Sequence, residues 1–494
     1  MLSAIEQKRL HLSKNTEAKR KSQFGQFLTP ERTAAFMAGL FPDGAGRCRL
    51  LDAGAGIGSL SAAFLDRWRL GGFHFQCVEV DAFELDHALH PHLSLTYDDY
   101  IHRTDFVANI FGEDFIHVAV DSLSGNLFSR NLESYTHAIL NPPYKKINSN
   151  SGHRLALRRV GIETVNLYSA FVALAVALAA TDGHIVAIIP RSFCNGPYYR
   201  PFRDFILDRA AIQHIHLFGS RTKAFKDDEV LQENIIIRLK RGEKPGPVTI
   251  STSTDDTFTD LATYELPFER IVFPDDPERF IHVPTSPERN VIELSPVIRY
   301  ALDDLGINVS TGPVVDFRLK EHLRDMPGPG SVPLLYPGHF TNSGITWPVK
   351  GMKKPNAIEH NENTKKWLYP NGSYCVVRRF SSKEEKRRIV ANVVDPGAFG
   401  DAPVLGFENH LNLFHESKHG LPMALAHGLA VFLSTTAVDE SFRRFSGHTQ
   451  VNATDLKLMK YPSRQALIEL GEWAMQQEEL TQEEIDEQLR KLTA

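Results

Sequence analysis

Between Arg47 and Lys240, short apolar runs alternate with segments of helical spacing, and this alternation narrows the fold more than any other feature of the chain. The runs "RCRLLDAG" (Arg47–Gly54), "FHFQCVEVD" (Phe73–Asp81), "THAILNPPY" (Thr136–Tyr144) and "HIVAIIP" (His184–Pro190) read as strands. "SLSAAFLDRW", "AFELDHAL", "LYSAFVALAVALA" and "YYRPFRDFILDRA" read as helices between them, and "IQHIHLF" and "ENIIIRLK" close the series. Strands this short and apolar need cover on both faces, so the pattern predicts an α/β domain built on a mostly parallel sheet. It stops at the charged Pro/Gly stretch "RGEKPGP" (Arg241–Pro247), after which turn signals such as "PDDPER", "PGPG" and "NGS" predict a separate mixed α+β domain. The expected division is 1–245, 246–464 and a final acidic helical segment 465–494, opened by the capping box "TQEE" (Thr481–Glu484).

Composition removes several function classes. The N-terminus "MLSAIEQKRLHLSKNTEAKRK" lacks the apolar core of a signal peptide, and "AFVALAVALAA" (Ala170–Ala180) is too short to span a bilayer. No membrane association is therefore expected. Cys48, Cys77, Cys194 and Cys375 form no C-x-x-C pair, which suits a reducing cytoplasm and argues against a structural metal or disulfides. The net charge of −5 looks unfavourable for a polyanion partner. However, the segment from Gln465 to the end carries eight acids and two bases, a net −6, so the other 464 residues sum to +1 (−5 minus −6). Basic clusters at Lys19–Lys21, Lys145–Lys146, His153–Arg159 and in "EEKRR" ending at Arg388 permit a nucleic-acid partner without demonstrating one, since charge runs are commonly solvated faces.

Two motifs carry chemistry. "LLDAGAGIGSL" puts Gly54, Gly56 and Gly58 at a strand-to-helix turn behind Asp52, where glycines let backbone approach a ligand. The spacing is G-x-G-x-G rather than the dinucleotide G-x-G-x-x-G. Glu79, 27 residues after Asp52, is expected to end the second strand and accept ribose hydroxyls; the plain alternative is that it, or Asp81, caps the next helix. In "HRTDFVA", Asp105 at the end of a third strand can accept an exocyclic amine and Phe106 can lie against a ring; alone, the pair is a turn and a core aromatic. The second motif is Asn141-Pro142-Pro143-Tyr144 followed by Lys145 and Lys146. Proline stops a strand's ladder and leaves carbonyl groups that no neighbouring N–H must claim.

In this order, the glycine turn, the acids and N-P-P-Y resemble the γ-type adenine-N6 DNA methyltransferases of restriction–modification systems. The layout is closest to type II PstI-like modification enzymes. The resemblance implies a Rossmann-like, mostly parallel seven-stranded sheet and S-adenosyl-L-methionine as cofactor, with no metal. Asp52, Gly54, Gly56, Gly58, Glu79, Asp105 and Phe106 would hold that cofactor. Asn141 and Pro142 would accept hydrogen bonds from the target amine while Tyr144 stacks on the base. An aromatic amine is a poor nucleophile because its lone pair is delocalised; two acceptors on its hydrogens favour tetrahedral geometry and stabilise the developing positive charge. The base must be extruded from double-stranded DNA to be reached.

Three features favour DNA over RNA or a glutamine-N5 protein substrate, both of which are also served by N-P-P-Y enzymes. "QFGQFLTPERTAAFMAGLF" resembles the family's first motif, in which Thr29 and Pro30 contact the methionine part of the cofactor; an ordinary helix start is the plain alternative. "SRTKAFKDDEVLQENIIIRL" resembles a later motif that supplies a base-stacking aromatic, here Phe225. The second half is large, and Ala424–Ser463 resembles the end of target-recognition domains, where Arg443, Arg444, His448 and Gln450 can meet phosphates or base edges. A dead specificity module is disfavoured by the intact motifs. The E-x-K at Glu416 and Lys418 is too short a pattern to indicate a nuclease. A separately encoded restriction endonuclease is the expected functional partner.

Overall fold

A computed structural model describes residues 5–7, 9–10, 28–101, 104–126, 130–132, 134–219, 233–274, 276–284, 287–288, 290–341, 344–381, 385–445 and 450–493. The chain forms two compact units, Met1–Pro287 and Glu288–Ala494.

The first unit is built on one sheet. In chain order its strands are β1 (Ala45–Ala53), β2 (His74–Phe83), β3 (Phe106–Phe111), β4 (Tyr135–Leu140), β5 (Ala179–Pro190), β6 (Ala210–Phe218), β7 (Asn234–Arg241), β8 (Val248–Ser253) and β9 (Ala262–Leu266). They lie in the order β3-β2-β1-β4-β5-β7-β6-β8-β9. β3, β2, β1, β4 and β5 are mutually parallel, whereas β7 runs antiparallel to both β5 and β6. The helices are α1 (Glu31–Gly39), α2 (Ser59–Arg69), α3 (His90–Ile101), α4 (Phe115–Leu123), α5 (Gly152–Arg159), α6 (Leu167–Leu178) and α7 (Arg200–Leu207). One core cluster joins Leu51 and Ala138 to α4, α6 and α7, and another joins Leu50 and Ile139 to α1, α2 and α3. Neighbouring strand residues thus feed opposite cores, which is why these strands show no polar alternation.

Three expectations change here. The sheet has nine strands rather than seven, because "RGEKPGP" is a turn: β8 follows it and pairs in parallel with β6, His214 opposite Thr249. The first unit accordingly runs to Pro287, not 245. "AFELDHAL" is not a helix: β2 continues through Phe83 and α3 begins at His90.

In the second unit, Asn308–Thr311, Leu411–His415, Tyr374–Arg378 and Ala391–Val394 form an antiparallel sheet beside a five-stranded mixed one. The helices Met423–Leu433 and Arg464–Ala474 cross closely through glycines: a Cβ on Gly428 would lie 1.7 Å from the Leu467 carbonyl oxygen, and one on Gly471 1.7 Å from that of Ala424. The acidic C-terminal segment is therefore part of this unit rather than an appendage, with Ile485 and Leu489 of the last helix buried. Its capping box forms as expected, Thr481 N donating to Glu484 Oε2 (2.9 Å) and Glu484 N to Thr481 Oγ1 (3.3 Å).

Candidate active site

A cavity of about 450 Å³ opens at the carboxyl ends of β1, β2, β3 and β4, the edge where open α/β sheets place ligands. Its wall includes Gly54 and Gly56 after β1, Phe83 and Glu84 at the end of β2, Glu113, Asp114 and Phe115 after β3, and Asn141 and Pro143 after β4. Gly54, Gly56 and Gly58 have φ of +79°, +58° and +84°, a region where a Cβ is strained. Gly54 N and Ala55 N donate to the Phe83 carbonyl at 2.8 and 2.9 Å, which fastens the turn to β2. A Cβ on Gly54 would stand 3.7 Å from the Asn141 carbonyl oxygen, and one on Gly56 would strike Leu28 at 2.9 Å. The turn is thus a bare-backbone floor abutting the Asn-Pro corner.

Two carboxylates line this cavity. Glu84, 3% exposed, accepts from Gly56 N (2.8 Å) and Asp86 N (2.7 Å); burial pushes its carboxyl above the usual range. Asp114 caps α4, its Oδ1 accepting from Ile116 N (2.9 Å) and His117 N (3.3 Å) while its Oδ2 meets His153 Nε2 at 2.8 Å. Despite burial, the His153 contact holds Asp114 below its ordinary range, and the same contact raises His153. Asp114, His117 and His153 place ligand-type atoms within 4.8 Å of one another. Two helix N-termini converge there and Lys145 adds positive charge, a field that suits a carboxylate better than a metal ion.

The Asn-Pro corner is held from both sides. Asn141 Nδ2 donates to Thr29 Oγ1 (3.0 Å), and Tyr144 OH donates to Asn141 Oδ1 and the Ile188 carbonyl (3.1 Å each). These contacts orient the amide, which no motif reveals. Burial raises the Tyr144 phenol, which stays a neutral donor.

Comparison with known proteins decides the family. The Eco57I restriction-modification methylase model matches residues 83–225. The type II methyltransferase M.BsuBI of Bacillus subtilis is 53% identical over 499 aligned positions, covering 100% of this chain and 98% of that one. The chain belongs to the type II methyltransferases. M.PstI of Providencia stuartii, another type II methyltransferase, is 43% identical over 91% of this chain and 89% of its own. Among solved structures, a DrdV–DNA complex matches with a TM-score of 0.49 at 13% identity, over 83% of this chain and 51% of that one. No helix among the described residues is long and apolar enough to cross a membrane.

Of the residues singled out in the methyltransferase sequence, Gly54, Gly56, Asn141, Pro143, Lys145 and Lys146 line the cavity. Gly58 heads α2, Pro142 and Tyr144 complete the corner, and Thr29 and Pro30 lead into α1, Thr29 touching Asn141. Others do not. Glu79 lies mid-strand in β2, 3.7 Å from Arg49, five residues before Glu84 and so about 16 Å from the cavity edge. Asp105 precedes β3 instead of ending it, its carbonyl taken by Val78 N, and Phe106 is buried against Tyr97 and Tyr100. A second Asp-Phe pair, Asp114-Phe115, occupies the strand end assigned to them. Arg443 is tied to Asp439 and the Glu385 carbonyl, and Arg444 to Glu293, so these guanidinium groups brace the second unit. Phe225 and His448 lie outside the described residues. Of the residues missed, Glu84 and Asp114 had one signal: "FELD" and "GEDF" each put an acid just past an apolar run; His153 was visible only as part of the basic cluster His153–Arg159.

Asp52 supports the turn from below rather than lining the cavity. It is fully buried, and Oδ2 accepts from Ser61 N at 3.3 Å. Burial pushes its carboxyl up to about 7. A folded-state value above the unfolded one means the folded protein holds the extra proton between pH of about 4 and 7, so stability falls as pH rises through that window. Asp52→Asn should remove the Asp52 contribution to this fall and be more stable than the parent at pH 8 by about 2–4 kcal/mol. Denaturant unfolding at pH 4, 6 and 8 checks it; parallel curves for the two proteins would exclude a buried neutral carboxyl.

Proposed function

We propose that this methyltransferase binds S-adenosyl-L-methionine and methylates N6 of an extruded adenine in double-stranded DNA, at a short specific sequence. The observation that carries this reading is the abutment of the glycine turn on Asn141, with Gly54, Glu84, Asn141 and Pro143 facing one cavity. A donor and an acceptor held there meet without crossing the fold.

The donor set fits the cofactor. The bare glycine floor admits a nucleoside close to the backbone. The Glu84 carboxylate offers acceptors for ribose hydroxyls, and Asp114 offers one for an adenine amine beside the Phe115 ring. When bound, the cofactor supplies a methyl group on a sulfonium, a good leaving group. Asn141 Oδ1 and the Pro142 carbonyl accept from the target amine and draw charge toward its nitrogen. Positioning supplies the rest, and the amine's proton leaves to water. Lys145 and Lys146 place positive charge at the cavity for the nucleotide's phosphates. Sequence reading falls to the unit from Glu288 onward, and a restriction endonuclease of the same specificity is the functional partner.

The test offers duplex DNA, RNA and a protein extract to the enzyme with methyl-labelled donor, then identifies the modified residue by nucleoside mass spectrometry and single-molecule sequencing. N6-methyladenine within one short motif is expected. Label confined to RNA or protein, or to N4 of cytosine, overturns the assignment.

A further inference from the structure

The helix that follows the Asn-Pro-Pro-Tyr corner reaches back into the cofactor wall. Only eight residues separate Tyr144 from His153, yet His153 meets a carboxylate at the end of a different strand. A carboxylate has about four acceptor sites on its two oxygens. Asp114 gives one to Ile116 N, one to His117 N and one to His153 Nε2, which leaves one for an amine entering from the cavity that both residues line. Two of the three contacts come from the α4 backbone and hold Oδ1. Among the described residues, the His153 contact alone holds Oδ2.

We propose that His153 is a positioning residue for cofactor binding: it locks the Asp114 carboxylate and ties the segment after the catalytic corner to the cofactor's adenine end. This rests on Asp114 accepting the adenine amine, as read above. The groups facing His153 are Asp114 and His117 on α4, whose rings and oxygens it meets at 5.2 and 2.8 Å, and Lys145 on the segment after β4. On its own helix, Arg154 is bound to Glu163. Asp114 is thus the one acid in direct contact among these groups, and protonated His153 forms a charge-assisted bond to it. As pH rises through the elevated His153 value, the charge is lost and a weaker neutral bond remains.

Donor affinity is measured by calorimetry from pH 6 to 9 on the full chain. Affinity of the parent should fall about threefold to tenfold across that range. His153→Gln keeps a donor that does not titrate, so it should bind with a flat profile. His153→Ala should bind about tenfold more weakly at pH 6, also with a flat profile, while His117→Ala keeps the parent's slope. Asp114→Asn is the separating control. Parental binding by Asp114→Asn would defeat the adenine-pocket reading and the inference with it. Weak binding by Asp114→Asn beside a parental slope in His153→Gln would defeat the inference alone. Unfolding curves of the unliganded variants exclude loss of fold as the cause.

Discussion

Asn141→Ala is expected to lower methyl transfer by about 10²- to 10³-fold while leaving donor affinity within about threefold of the parent. The side chain lines the cavity, and its amide engages Thr29 and Tyr144. Removing it takes away an acceptor needed only as charge develops on the amine, so the loss belongs in kcat. Some of the loss can come from freeing the Thr29 loop. Thr29→Val, which removes that contact and keeps the acceptor, calibrates this share and should cost less than about tenfold. Single-turnover rates with saturating donor make the measurement. Near-parental turnover in Asn141→Ala would show that the corner does not act on the amine.

The second large effect separates Glu79, the acid expected from the sequence, from Glu84, the acid that lines the cavity. Glu84→Ala should weaken donor binding by about 30- to 100-fold, because it removes the acceptor proposed for the ribose and orphans the amides of Gly56 and Asp86, which shape the turn. Glu79→Ala should bind donor within about twofold of the parent, since Glu79 faces Arg49 at mid-strand. Glu84→Gln is a milder probe that retains one acceptor and should fall between. The reverse ranking of Glu79→Ala and Glu84→Ala would place the ribose elsewhere.

The same cause lies behind both misplaced acids. Glu79 and Asp105 are the acids expected from the sequence to end the second and third strands. The end of a parallel strand is set by its partners: Gly54 N and Ala55 N bond to Phe83 O, and Phe83 pairs with Phe111, so β1, β2 and β3 finish at one level. Ala82 and Phe83 then belong to the strand, and the next acid, Glu84, reaches the cavity. The boundary at "RGEKPGP" failed similarly, since Pro and Gly mark a turn whether or not the chain returns to the same sheet.

The sequence by itself determined what is local and periodic: the alternation that demands a two-faced sheet, the glycines that admit a ligand to bare backbone, the Asn-Pro corner that leaves acceptors unclaimed, and the C-terminal capping box. Tertiary structure alone decided which acids reach the cavity, that nine strands share one sheet, that Arg443 and Arg444 are held by protein partners, and that His153 meets Asp114. These depend on hydrogen-bond register and on contacts between residues distant in the chain, and neither leaves a period for a one-dimensional pattern to carry.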